Sequence, residues 1–304
     1  MPSRDATRPP HAPEDCAGDE PCGRAALLRG WSMEATRPRP AELETLRHIL
    51  PAGAPLYLSA LPQVPPEQLL AHARQVAAAG LAPVPHVAVR QFAGRADLQA
   101  FLTELREQAR VRRVLLVGGD RDTPAGPFAA SLQVLEAGLL EEAGLEGVDI
   151  AGYPEGHPLL PDEALREALR AKLAAARRAG LAVQVVTQFC FDADIILRWL
   201  RALRRSEPRL AVRIGLSGPA SATTLLRYAL RCGVRTAARG LGRGLSLLEH
   251  APDEAAAATL VSALAAGLSA AERRDVSLHF YSFGGIARTA AWAQALAQGG
   301  SSDR

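Results

Sequence analysis

A single (β/α)8 TIM barrel behind a disordered N-terminal leader is the fold this sequence predicts, on three observations. Eight short apolar or alternating runs recur along the chain, helix-patterned segments separate them, and 304 residues accommodate one barrel of about 250 residues with a tail. The runs are Trp31–Thr36, Leu56–Leu61, Val84–Val89, Val114–Gly118, Val148–Tyr153, Val183–Phe189, Val212–Leu216 and Leu278–Phe283. Between them, Pro66–Gly80 starts after a proline and stops at glycine, Asp97–Arg110 opens on an N-cap aspartate, and Asp162–Gly180 does both. Alternation of strand and helix requires a parallel sheet, and eight repeats close it.

The first 24 residues mix Pro, Asp, Arg and Gly without periodicity and cannot repay the entropy of ordering, which places the leader at 1–24 and the catalytic barrel at 25–304. The last connection, Ser221 to Asp275, is longer and holds an extra apolar run, Val234–Ala238, and a helix, Ala251–Ala266. A doubly wound open sheet is therefore the structural alternative. No GxGxxG follows the first strand, and Gly240, Gly242 and Gly244 read as a flexible loop.

Hydrophobic residues make up 48% of the chain, enough for a sizeable core. The net charge of +3 rests on arginine, since Lys172 is the single lysine, and the arginines lie mostly on alanine-rich helical faces. Without aromatic residues interleaved among them they make no case for nucleic acid. No apolar run approaches the ~20 residues that span a bilayer. Cys16, Cys22, Cys190 and Cys232 lack CxxC spacing and no signal segment precedes them, so the expectation is a reduced, cytoplasmic enzyme without a metal site. Homo-oligomers through the outer helices are open, as for any barrel.

In such a barrel the chemistry sits where the loops after each strand converge. Glu34 lies in the first strand among apolar neighbours that would raise its pKa toward general-acid use, or it is simply paired with an arginine. The third strand brings His86 to the rim. Gly118, Gly119 and Asp120 end the fourth, either admitting a ligand close to the backbone or making an ordinary capped turn. The fifth delivers Tyr153, Glu155 and His157, and the sixth Gln188 and Asp192. An amide suits a heterocycle's edge, and equally a satisfied core position.

Taken in order, GGD at 118–120, YPEGHP at 153–158, TQFCFD at 187–192 and HFY at 279–281, with Pro85-His86, resemble the methylenetetrahydrofolate reductase family from about Trp31 to Trp292. The resemblance implies a barrel that holds FAD at the strand ends. It implies reduction of 5,10-methylenetetrahydrofolate to 5-methyltetrahydrofolate with NADH or NADPH, in one-carbon metabolism and methionine biosynthesis. It places Glu34 as general acid, Asp120 beside flavin and folate, and Gln188 on the pterin. Ser59, His86, Gly119, Asp120, Ala130, Ser131, Tyr153 and His157 fall at flavin-contacting positions, with Lys172 as a phosphate ligand.

The chain also departs from that pattern. Gly118 stands where the family carries an arginine, Thr223 where it places a stacking phenylalanine, and Gly285 where it has a substrate-binding arginine, for which Arg288 could reach back. These differences keep two alternatives in view: a flavin-independent or catabolic folate oxidoreductase, and a non-catalytic folate-binding module.

Overall fold

The computed structural model describes residues 20–62, 64–231 and 254–299. Eight parallel strands, β1 Ser32–Ala35, β2 Pro55–Leu58, β3 Ala82–Ala88, β4 Arg113–Val117, β5 Gly147–Gly152, β6 Ala182–Thr187, β7 Ala211–Ser217 and β8 Val276–Tyr281, close into a barrel in sequence order. Closure is direct: Ser32 pairs with His279 and Glu34 with Tyr281 across the β1–β8 seam, which removes the open-sheet alternative. All eight sequence runs became strands.

The outer ring consists of α1 Glu20–Leu28, α2 Pro40–Ile49, α3 Pro66–Ala78, α4 Arg95–Ala109, α5 Ser131–Glu136, α6 Leu139–Glu142, α7 Asp162–Arg178, α8 Ala193–Ser206, α9 Ala222–Arg231, α10 Glu254–Gly267, α11 Ala270–Arg273 and α12 Ile286–Ala297. Proline begins α2 and α3, where its missing N–H costs nothing. Asp192 caps α8 by accepting the Ile195 amide at 3.0 Å. Helix α1 starts at Glu20, inside the stretch read as leader, and buries Leu27 and Leu28 in the core. Residues 1–19, the run Val234–Ala238 and the glycines at 240–244 lie outside the described residues.

The main core fills the space between barrel and helices, with Leu27, Met33, Leu46, Leu98, Leu102 and Leu105 among its fully buried members. A smaller apolar layer of Tyr57, Val84, Leu115 and Val186 lies apart from it and comes from alternate positions of β2, β3, β4 and β6, the inward parity of a barrel. Where helix and strand approach most closely the sequence has glycine: a Cβ on Gly152 would lie 2.8 Å from Val185 and 2.9 Å from the Trp199 ring. No described helix is long and apolar enough to cross a membrane. Cys190 is a buried free thiol whose pKa burial pushes up.

Candidate active site at the barrel mouth

Inward parity carries polar side chains in several strands, and they sort by height. Near the amino-terminal end, Asp149 of β5 is fully buried and bound on both oxygens: Arg113 Nη1 donates to Oδ1 at 2.7 Å and the Tyr57 hydroxyl to Oδ2 at 2.5 Å. Gln184 Nε2 donates to the Tyr57 oxygen at 3.1 Å. Burial and the Asp149 charge hold the Tyr57 phenol well above its ordinary pKa. Arg213 donates to Gly30 O at 2.9 Å and Ser277 Oγ at 3.3 Å.

At the carboxyl end the centre is Glu34. The Ser59 hydroxyl donates to its Oε1. His86 Nε2 lies 3.3 Å and His279 Nε2 3.8 Å from its Oε2. Ser282 Oγ donates to the Glu34 carbonyl at 2.5 Å, fixing the backbone. Glu34 Oε2, His86 Nε2 and His279 Nε2 are all buried without a hydrogen-bond partner of acceptable geometry, so three polar atoms converge on one place unsatisfied.

The expectation that apolar surroundings raise Glu34 is corrected by this geometry. Burial does push its carboxyl up, but the His86 charge, the approach of the His279 ring and the Ser59 hydrogen bond outweigh it and hold the group below the usual carboxylate range. His279 moves the other way: burial disfavours its charged form and lowers its pKa, more than Glu34 raises it. The surroundings read as apolar in sequence, Met33 and Ala35, point away into the core.

Beside this centre runs an aromatic wall. Phe189, Tyr281, Phe283 and Tyr228 pack on one another, Tyr228 and Phe283 stacked at 4.2 Å and 17°, Tyr281 and Phe283 at 5.6 Å and 23°. The Tyr281 hydroxyl donates to Thr187 O at 3.0 Å, which ties the wall to β6. Gln188 follows at the end of β6, its amide N–H on Gly152 O.

The remaining sequence candidates are distributed as follows. Gly119 has φ +94° and no room for a Cβ, which would meet Ala88 at 2.9 Å; Asp120 beyond it is exposed. Ala130 and Ser131 begin α5, where Gln133 Oε1 already accepts the amides of Ala129 at 2.7 Å and Ala130 at 3.0 Å. Tyr153 and His157 meet edge to face at 5.2 Å, and His157 Nδ1 accepts the Leu159 amide, while burial lowers its pKa. Thr223 is exposed in the first turn of α9, in a hydroxyl cluster with Ser221 at 3.2 Å. Lys172 lies in the middle of α7, where burial lowers its pKa. Arg288 does not turn back to the mouth but pairs with Glu254 at 3.1 Å. Of the candidates, then, Glu34, Ser59 and His86 are brought into one contact group. His279, Ser32, Tyr57 and Asp149 were missed, although a charged residue inside a strand run, as in Val148-Asp149-Ile150, signals a buried partner.

No family model matches the chain. Among solved structures it is similar to an uncharacterized protein from Clostridium thermocellum that binds two copies of 5-methyl-5,6,7,8-tetrahydrofolic acid, at 11% identity over 88% of this chain and 93% of that one, with a TM-score of 0.56. It is more loosely similar to a putative deoxyribose-phosphate aldolase from Toxoplasma gondii ME49 (TM-score 0.43, 11% identity, covering 93% of this chain and 98% of that one). An N-acetylneuraminate lyase from Fusobacterium nucleatum, complexed with pyruvate, gives a TM-score of 0.45 at 10% identity over 91% of this chain and 76% of that one. At 11% identity the first of these similarities speaks for the fold alone.

Proposed function

We propose that the barrel mouth binds a reduced folate and that the chain is a divergent methylenetetrahydrofolate reductase-like oxidoreductase, reducing the 5,10-methylene bridge with a nicotinamide donor. The observation that carries this reading is the buried Glu34 carboxylate, held among His86, His279 and Ser59 next to a cluster of aromatic rings. The motifs at 118–120, 153–158 and 187–192 add to it, as does the folate bound by the Clostridium thermocellum barrel.

In the reaction a proton reaches N10, the bond from the methylene carbon to N10 breaks with its electron pair going to nitrogen, and an N5 iminium forms. Hydride then adds to the methylene carbon and leaves a methyl group. A carboxylate kept ionised in a low-dielectric site stabilises that cation. The proton passes through Glu34, and His86, 3.3 Å from the same oxygen, is the neighbouring acid–base side chain. The aromatic wall offers the pterin a stacking face and Gln188 a donor and acceptor for its edge.

The residues at the flavin-contacting positions do not fit a dinucleotide diphosphate. The amides of Ala129 and Ala130, just before α5, are satisfied by Gln133, the Arg90 guanidinium beside Gly118 is committed to the carbonyls of Ala129 at 2.8 Å and Arg121 at 3.1 Å, and Lys172 is a half-buried mid-helix group. Direct hydride transfer from NADH or NADPH is therefore the form of the reaction this geometry favours over one through FAD. The test is the visible spectrum of the purified protein with and without added FAD, followed by nicotinamide oxidation with 5,10-methylenetetrahydrofolate. A colourless protein that oxidises the nicotinamide only with folate present is expected. A flavin band that bleaches with NADH would restore FAD; absence of both folate binding and folate-dependent oxidation would overturn the reading.

A further inference from the structure

We propose that Ser32 and His279 form a built-in orienting pair for Glu34, in which the Ser32 hydroxyl fixes His279 as the neutral tautomer with its proton on Nε2, aimed at the glutamate. His279 is thereby a positioning residue that acts through Glu34.

The strand register creates the arrangement. Ser32 and Glu34 are two apart on β1 and share the inward face, while His279 lies opposite Ser32 and Tyr281 opposite Glu34 on β8. The single imidazole of His279 therefore spans the interval, with Nδ1 2.9 Å from Ser32 Oγ and Nε2 3.8 Å from Glu34 Oε2. The ring is fully buried and edged by Tyr57 at 4.6 Å and 70° and by Tyr281 at 5.0 Å and 89°, so it is clamped on two sides.

Two alternatives to this protonation state conflict with the geometry. With the proton on Nδ1, the Nε2 lone pair would face the carboxylate oxygen across 3.8 Å, two acceptors opposed with His279 fully buried. With both nitrogens protonated, a charge would be buried facing not only Glu34 of β1 but also His86 of β3 and Arg213 of β7, with Tyr57 of β2 on its flank, and burial disfavours that form. The neutral Nε2–H tautomer leaves every contact favourable: the Ser32 hydroxyl donates to Nδ1, and the N–H dipole points at the anion. Oriented in this way it stabilises the ionised form of Glu34 without a second buried charge.

The test uses the full chain without ligand, labelled with 15N-histidine and 13C-carboxyl glutamate, so that it does not depend on the folate reading. Long-range proton–nitrogen spectra, with His279→Gln supplying the assignment, should show His279 as the Nε2–H tautomer from pH 5.5 to 8.5. In Ser32→Ala that preference should be lost and the Glu34 carboxyl should titrate about one pH unit higher, whereas Ser32→Thr, which keeps the hydroxyl, should restore both. An Nδ1–H or doubly protonated His279 in the wild type overturns the proposal. So does a Glu34 titration that stays put in Ser32→Ala while the tautomer preference disappears. Folate binding or turnover that fails while these spectra come out as expected would sink the folate reading alone.

Discussion

The two ends of the barrel interior hold buried carboxylates of opposite character. Asp149 at the lower end has Arg113 on one oxygen and Tyr57 on the other, with Gln184 completing the network; among the described residues the orphan nearby is Arg213 Nε, on a guanidinium otherwise bonded. Glu34 at the mouth has Ser59 on one oxygen, while the other faces two imidazole nitrogens that are themselves unpaired. A satisfied buried network rigidifies a fold, whereas unsatisfied groups converging on one point are retained for what will bind there. The lower carboxylate is read as structural and the upper as functional because of where their hydrogen bonds end.

The largest expected effect breaks the lower end. Asp149→Ala leaves the half-buried Arg113 charge and the buried Tyr57 hydroxyl without their partner, and removing one member of a buried pair costs about 3–5 kcal/mol. Urea unfolding should show a loss of that order; a loss under about 1 kcal/mol would mean that water replaces the carboxylate and the network does not support the barrel. Glu34→Gln should do the converse. Folate-dependent nicotinamide oxidation should fall by about 100- to 10,000-fold with folate binding retained, while stability falls by less than in Asp149→Ala. Near-normal turnover removes Glu34 from the mechanism.

Acid titration sharpens the same contrast. Because the folded protein holds Glu34 below the usual carboxylate range, the ionised group contributes stability that is fully present above its unfolded pKa, about 4.3, and is lost as pH falls through the lower folded value. Wild type should therefore lose melting temperature below about pH 4.5 more steeply than Glu34→Gln. Parallel curves for the two proteins would mean that the neighbouring histidines do not hold the charge.

The sequence revealed the architecture more readily than the interior. Eight apolar runs were visible because strands of a parallel barrel bury their outward side chains under helices, as Met33 and Ala35 do. The inner face was hidden by the same runs: Asp149 sits between Val148 and Ile150, and its partner Tyr57 is 92 residues away, a pairing only strand order can create. Glu34, Ser59 and His86 were legible as candidates through a motif resemblance, but not the sign of the Glu34 shift. That sign depends on His279, which reaches Glu34 only when β8 closes on β1. Tight packing was equally silent, since Gly152 is required by the Trp199 ring, 47 positions further on, and nothing local to Gly152 announces it.

The smallest expected effect concerns a residue that sequence proximity placed in the site. Arg288 follows the HFY motif by seven residues, counted from Tyr281, and so suggested a hand reaching back to the mouth; in the fold it lies on α12 and pairs with Glu254 of α10 at 3.1 Å. Both side chains are more than 40% exposed, so water screens the pair and its contribution falls in the range of about 0.2–1 kcal/mol. Arg288→Ala should therefore leave the Michaelis constant for folate unchanged within about twofold and lower the melting temperature by no more than a few degrees. A tenfold rise in that constant would show that ligand draws Arg288 off Glu254, and would extend the functional end of the barrel to a residue that its pairing with Glu254 assigns to the outer ring.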